Sequence, residues 1–160
     1  MKTQLITILF IIFSILTACG FRPVYQEGSR VGEVISEIRL TDPNSDIEFN
    51  FLRHMQRKFP QVHIPTMNMD YDISFSEREL SNRRNGMDGM VSYNITYINK
   101  GTLLVAGQVN STTSYTTSSS TVGDMVNEAS REDAMDRLAE MLAQAAYHQI
   151  IAKLSAINLE

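Results

Sequence analysis

Hydrophobic and polar positions change period several times along this chain, and each change marks an element. The first run is nearly unbroken: Leu5 to Leu16 is Leu, Ile and Phe interrupted only by Thr7 and Ser14, behind Lys2. A positive start followed by a short apolar core is the pattern of an export signal, here residues 1–18. Twelve helical residues reach about 18 Å, short of a hydrocarbon core of about 30 Å, so a permanent transmembrane helix is the poorer reading. Residues 19–32 hold Pro23, Gly28 and Gly32 with no period and read as a tether. Val34, Ser36, Ile38 and Leu40 then share one face of a first strand.

Asp42-Pro43-Asn44 predicts a turn, and Ser45-Asp46-Ile47-Glu48 has the spacing of a capping box, in which the serine and glutamate satisfy orphaned backbone donors. A helix starts there. Ile47, Phe51, Met55 and Phe59 recur every four residues, Arg53, Arg57 and Lys58 crowd the last turns where the helix dipole favours cations, and Pro60 ends the segment. Tyr71, Ile73 and Phe75 next alternate with Asp72, Ser74 and Ser76 in a strand that runs to about Arg83, followed by a turn-rich loop from Asn82 to Gly89. Val91, Tyr93, Ile95 and Tyr97 form the clearest strand. Asn99-Lys100-Gly101 makes a tight turn, and Leu103, Val105, Gly107 and Val109 return, with the Thr-rich stretch after Ser111 continuing that strand. From Ser130 the spacing of Met135, Leu138, Leu142, Ala146, Ile150 and Leu154 predicts a long C-terminal helix. The order βαβββα predicts a two-layer α+β sandwich over residues 33–160, with two helices on one face of a four-stranded, mostly antiparallel sheet.

The chain has 160 residues with 43% apolar, 20% charged and a formal charge of -4, which fits one globular domain. Its acidic balance and the lack of an aromatic platform interleaved with Lys and Arg argue against a nucleic-acid partner. His54, His63 and His148 are isolated in sequence, so no metal site is predicted, and no nucleotide-binding or nucleophile-elbow motif points to a cofactor or to catalysis. Asp70, Asp72, Glu77 and Glu79 stand at two-residue intervals, the spacing at which paired acids could share a strand face, but it fits the wet side of a half-buried strand better. An enzyme is not expected.

The single cysteine follows Leu16-Thr17-Ala18. A large apolar residue, two small ones and a cysteine resemble the bacterial lipobox: small side chains let a protease reach the backbone, and only a thiol can carry the diacylglyceryl group. Lipidation of Cys19 also accounts for an odd cysteine in an oxidising compartment. Two or three acyl chains, at about 0.8 kcal/mol per buried methylene, anchor stably where one would not. Two further features have binding chemistry. Arg78, Arg83 and Arg84 cluster at a hairpin end, with Lys100 on another turn, and guanidinium forks suit phosphate groups. The sheet face bearing Ser and Thr, with its fourth strand, offers a second surface for a protein partner.

Cys19-Gly20-Phe21-Arg22-Pro23-Val24-Tyr25, Val91-Ser92-Tyr93-Asn94-Ile95-Thr96-Tyr97 and Glu132-Asp133-Ala134-Met135-Asp136-Arg137-Leu138-Ala139 resemble the LPS-assembly lipoprotein LptE family in its alphaproteobacterial form. The resemblance covers most of the chain in element order. It implies an outer-membrane lipoprotein that sits within an LptD-type β-barrel, assists its assembly, plugs it and contacts lipopolysaccharide, without covalent chemistry. Gly20, where inner-membrane lipoproteins tend to carry Asp, fits outer-membrane placement. Arg78, Arg83, Arg84 and Lys100 are the expected lipopolysaccharide contacts. Two other classes stay open: an adaptor of another envelope machine, such as a pilotin that escorts a secretin, and a lipid-anchored hydrolase.

Overall fold

The computed structural model describes residues 30–59, 64–118 and 123–157. The export signal, Cys19, the tether up to residue 29, His63 and the helix stop at Pro60 lie outside the described residues. Helix α1 (Arg30–Ile35) occupies the last residues of the expected tether and the beginning of the expected first strand. The correction has a plain cause: Val31, Val34 and Ile35 share a helical face and all pack on the core, and the Ser36 hydroxyl closes the turn on Glu33 O at 2.6 Å. Strand β1 (Ile38–Leu40) follows.

Helix α2 (Asp46–Gln56) begins where the capping box predicts. Ser45 Oγ accepts from Glu48 N at 3.4 Å, but the Glu48 carboxylate reaches Asn44 N at 2.6 Å, one residue earlier than the usual box. Strands β2 (Met67–Ser81), β3 (Arg84–Tyr97) and β4 (Leu103–Thr116) form the meander, and β1 adds to β2 in parallel, giving the order β1-β2-β3-β4. The loop expected from Asn82 to Gly89 is only the two-residue turn Asn82-Arg83; pairing resumes at Ser81 and Arg84 and runs straight through both glycines. Gly89 is there for space. A Cβ on Gly89 would stand 2.8 Å from a methyl of the fully buried Leu138. Gly89→Ala is therefore expected to lower stability by about 1–3 kcal/mol by overpacking, read as a lower thermal midpoint. The second turn is as expected, with Gly101 at φ 62°.

Helix α3 (Gly123–Ala156) starts seven residues before the expected Ser130. Its first turn is tied to the end of β4 by Asn127, whose side chain accepts from Ser118 N at 2.6 Å and donates to Ser118 O at 3.0 Å. Ala134, Leu138, Leu142, Ala146, Ile150 and Leu154 form its buried stripe over β3 and β4. α2 packs beside it and covers the start of β2, where Phe51 lies 5.0 Å from the Tyr71 ring. The α+β sandwich, with its helices on one face, is thus the observed architecture. The other face is polar: Arg39, Asn68, Asp70, Arg78, Arg84, Asp88, Thr112 and Ser114 are linked across it by side-chain bonds.

The two helices of the upper layer are also joined by charge. Asp136 of α3 accepts from Arg53 Nη2 at 2.6 Å and stands 2.9 Å from Nε2 of buried His54, both on α2. Partial burial pushes the Asp136 carboxyl up, but the His54 and Arg53 bonds and charges outweigh it and hold the group below the usual carboxylate range. A carboxyl lowered in the folded state stabilises above its unfolded value and stops doing so as pH falls through its folded value. Acid titration should therefore lower stability below about pH 4, and Asp136→Asn should flatten that slope, by under about 1 kcal/mol because the pair is partly solvated. A thermal midpoint measured from pH 6 to 2 checks it.

Candidate functional site

The antiparallel hairpins place consecutive turns at opposite ends of the sheet. Arg78, Arg83 and Arg84 therefore meet at one end, while Lys100 sits on the Ile98–Gly101 side, thirteen residue steps of β3 away, or about 43 Å. The four cations expected to share lipopolysaccharide are thus three arginines at one end and, on its separate turn, a lysine at the other. The paired acids are divided as well. Asp70 and Asp72 lie on the polar face, whereas Glu77 and Glu79 fall on the helix side, with the β2–β3 register unbroken between them.

At the arginine end each guanidinium is held differently. Arg78 Nε donates to Asp88 Oδ2 at 2.7 Å, and the Thr112 hydroxyl donates to the other carboxylate oxygen at 2.7 Å. The Thr112 bond, then the Arg78 bond and charge, hold Asp88 below the usual carboxylate range. Arg78 is still 58% exposed, which leaves much of its fork facing solvent. Among the described residues Arg84 pairs with no carboxylate: its Nε and Nη2 donate to Ser114 Oγ at 3.1 and 2.8 Å. Arg83 is exposed at the turn, and its backbone carbonyl accepts from Thr117 N at 2.9 Å, closing the hairpin end on β4.

Sequence reasoning missed two arginines of α3 that complete this end. Arg137 pairs with Asp133 one turn earlier and donates through Nη2 to Ser114 O at 3.2 Å. Arg131 Nε donates to Glu77 Oε1 at 2.8 Å, and the Tyr115 hydroxyl donates to Glu77 Oε2 at 2.6 Å, while Asn85 donates to the same hydroxyl at 3.2 Å. Burial and the Glu77 bond push the Tyr115 phenol up, and Glu77 does the same for Arg131. Glu77 thereby clamps β2, β4 and α3. The only sequence signal for these residues was their position in the first turns of a long helix, which does not say which strand they face.

Between Arg84 and Arg137 lies a recess of about 400 Å³, walled by Ser114, Tyr115, Ser130 and Asp133. A second hollow of about 540 Å³ shares Ser130 and Asp133 and is floored by Met125, Val126 and Ala129. Met125 is 80% exposed. The arrangement sets guanidinium donors and hydroxyls directly beside an apolar strip of helix. It suits a molecule that carries anionic groups and hydrocarbon together.

The fold recurs in solved lipoproteins. A candidate lipoprotein from Caulobacter crescentus superposes with a TM-score of 0.66 at 11% identity, over 79% of this chain and 96% of that one. A minor lipoprotein from Acinetobacter baumannii does so with a TM-score of 0.54 at 15% identity, over 73% and 90%. This chain has the fold of these lipoproteins. At such identities the likeness speaks to the fold alone. No family model and no curated protein matches the sequence. The rare lipoprotein B of Shewanella oneidensis aligns at 8% identity with a TM-score of 0.44, over 72% of this chain and 96% of that one.

Proposed function

We propose that this protein is an LptE-type lipoprotein of the outer membrane, acylated on Cys19, which plugs an LptD-type β-barrel, assists its assembly and takes part in lipopolysaccharide delivery. It acts by fit and contact, without covalent chemistry, cofactor or nucleic acid. The observation that carries this reading is the arginine end set on a lipoprotein fold. Arg84 and Arg137 wall a recess that also holds Asp133, Arg78 and Arg83 stand on the same hairpin end, and an exposed methionine lies beside it; the phosphates and acyl chains of a glycolipid call for both kinds of surface.

The test is lipopolysaccharide retention by the purified acylated protein. Reversing Arg78, Arg83 and Arg84 together to Glu should lower retention about tenfold or more, and rising salt should weaken the wild-type contact. Lys100→Glu, at the opposite end, is the control and should leave retention unchanged. Equal retention by the triple variant means that these arginines are only solvated charges.

A further inference from the structure

The two edges of the sheet are treated differently. On β4, alternate backbone carbonyls are taken by side chains of α3: Arg137 donates to Ser114 O at 3.2 Å, Gln149 to Gln108 O at 3.3 Å, and Lys153 to Ala106 O. Side chains laid along an edge deny it to an incoming strand. Among the described residues β2 has no such guard beyond β1. β1 pairs with it only at Met67, Asn68 and Met69, then turns away; Thr41 N bonds back to Met69 O at 3.1 Å and Pro43 follows.

Because Met69 O points toward β1, every second residue beyond it aims its N–H and C=O to the same side. Those residues are Tyr71, Ile73, Phe75, Glu77 and Glu79, and the unbroken β2–β3 register keeps the alternation intact as far as Glu79. Among the described residues, none of the five has a backbone partner on that side. A row of amides repeating along a strand is matched by another backbone, not by a lipid or a sugar.

We propose that the β2 edge from Tyr71 to Glu79 receives an extended segment of a partner polypeptide as a fifth strand, and that this segment alternates cationic and apolar residues. The apolar half follows from the helix side of the edge, where Tyr71 and Ile73 are half-buried and Phe75 is 38% exposed. The cationic half follows from its charges. On the polar side of the edge Arg78 is engaged by Asp88, which leaves Asp72, with Asp70 just before it, without an ion-pair partner among the described residues; Glu77 and Glu79 lie on the helix side, where Arg131 engages Glu77. A second copy of this chain would bring the same acidic edge against itself, so it is the less favourable occupant. The proposal deepens the barrel-partner reading and rests on it for the identity of the partner, not for the chemistry of the edge.

The experiment is hydrogen exchange on the purified acylated chain with an eleven-residue peptide of alternating Lys and Val, and with a Glu and Val peptide as control. The Lys peptide should slow exchange at the five edge amides about tenfold or more, and leave the amides already bonded to β3 unchanged. Ile73→Pro removes one edge donor without touching the β3 ladder and should abolish the slowing, whereas Ile73→Ala should preserve it. No slowing with the Lys peptide overturns the proposal. So does equal slowing with the Glu peptide, or slowing that appears without peptide as protein concentration rises, the mark of a second copy. If the Lys peptide protects the edge but no barrel accompanies the protein from membranes, the partner reading fails and the strand-accepting edge stands.

Discussion

Replacing Phe51 with alanine should lower the stability of the folded domain by about 3–5 kcal/mol. Phe51 is fully buried at the centre of the α2 stripe, flanked by Ile47 and Met55 one turn either way, and its ring leans on Tyr71 of β2 at 5.0 Å. Buried Ile47 and Met55 and the packing of α2 against α3 hold the helix in place, so the void left by the ring has little means of collapsing. A domain of this size has only about 5–15 kcal/mol of net stability, and the loss would take a large share of it. Urea unfolding should show a lower midpoint with an unchanged slope. A midpoint shift worth less than about 1 kcal/mol would mean that α2 is not held by this ring.

Cys19→Ser should release the protein from membranes. Serine keeps the size of the side chain but removes the sulfur on which the diacylglyceryl group is carried, and no other cysteine exists in the chain to replace it. At about 0.8 kcal/mol for each buried methylene, every acyl chain lost removes on the order of 10 kcal/mol of membrane affinity. Labelled palmitate should appear in the wild type and be absent from the variant, which should partition with soluble proteins once its signal is cut. Persistent labelling would place the acyl chains elsewhere.

Much of the fold was legible because single elements carried consistent local signals. The Ser45 and Glu48 spacing with the four-residue stripe of α2 located that helix within a residue at its start, and strict alternation from Val91 to Tyr97 located β3. The misreadings have separate causes. The segment Val34 to Leu40 supports both periods, and tertiary packing of Val31 and Val34 chose helix for its first half. Gly86 and Gly89 read as loop residues, yet both are strand residues, and Gly89 is kept small by buried Leu138, which nothing local announces. Ser130 resembles a helix start, but the turns before it are helical because Asn127 ties them to Ser118.

The candidate site was legible in part. Arg78, Arg83 and Arg84 follow from one hairpin and Lys100 from the next, and since consecutive turns of a meander fall at opposite ends, topology alone already sets Lys100 apart from the shared role expected of it. Arg131 and Arg137 could not have been added, because the strand they meet is 23 residues away in the nearest case and only the packed layers bring them together.

The most direct measurement is mild-detergent purification of the native protein from membranes, with intact-mass spectrometry of the chain and identification of what accompanies it. A chain beginning at a triacylated or diacylated Cys19, together with one large outer-membrane β-barrel of the LptD type, is the predicted result. Recovery of a chain with its first 18 residues still attached, no acyl mass and no barrel would contradict the account.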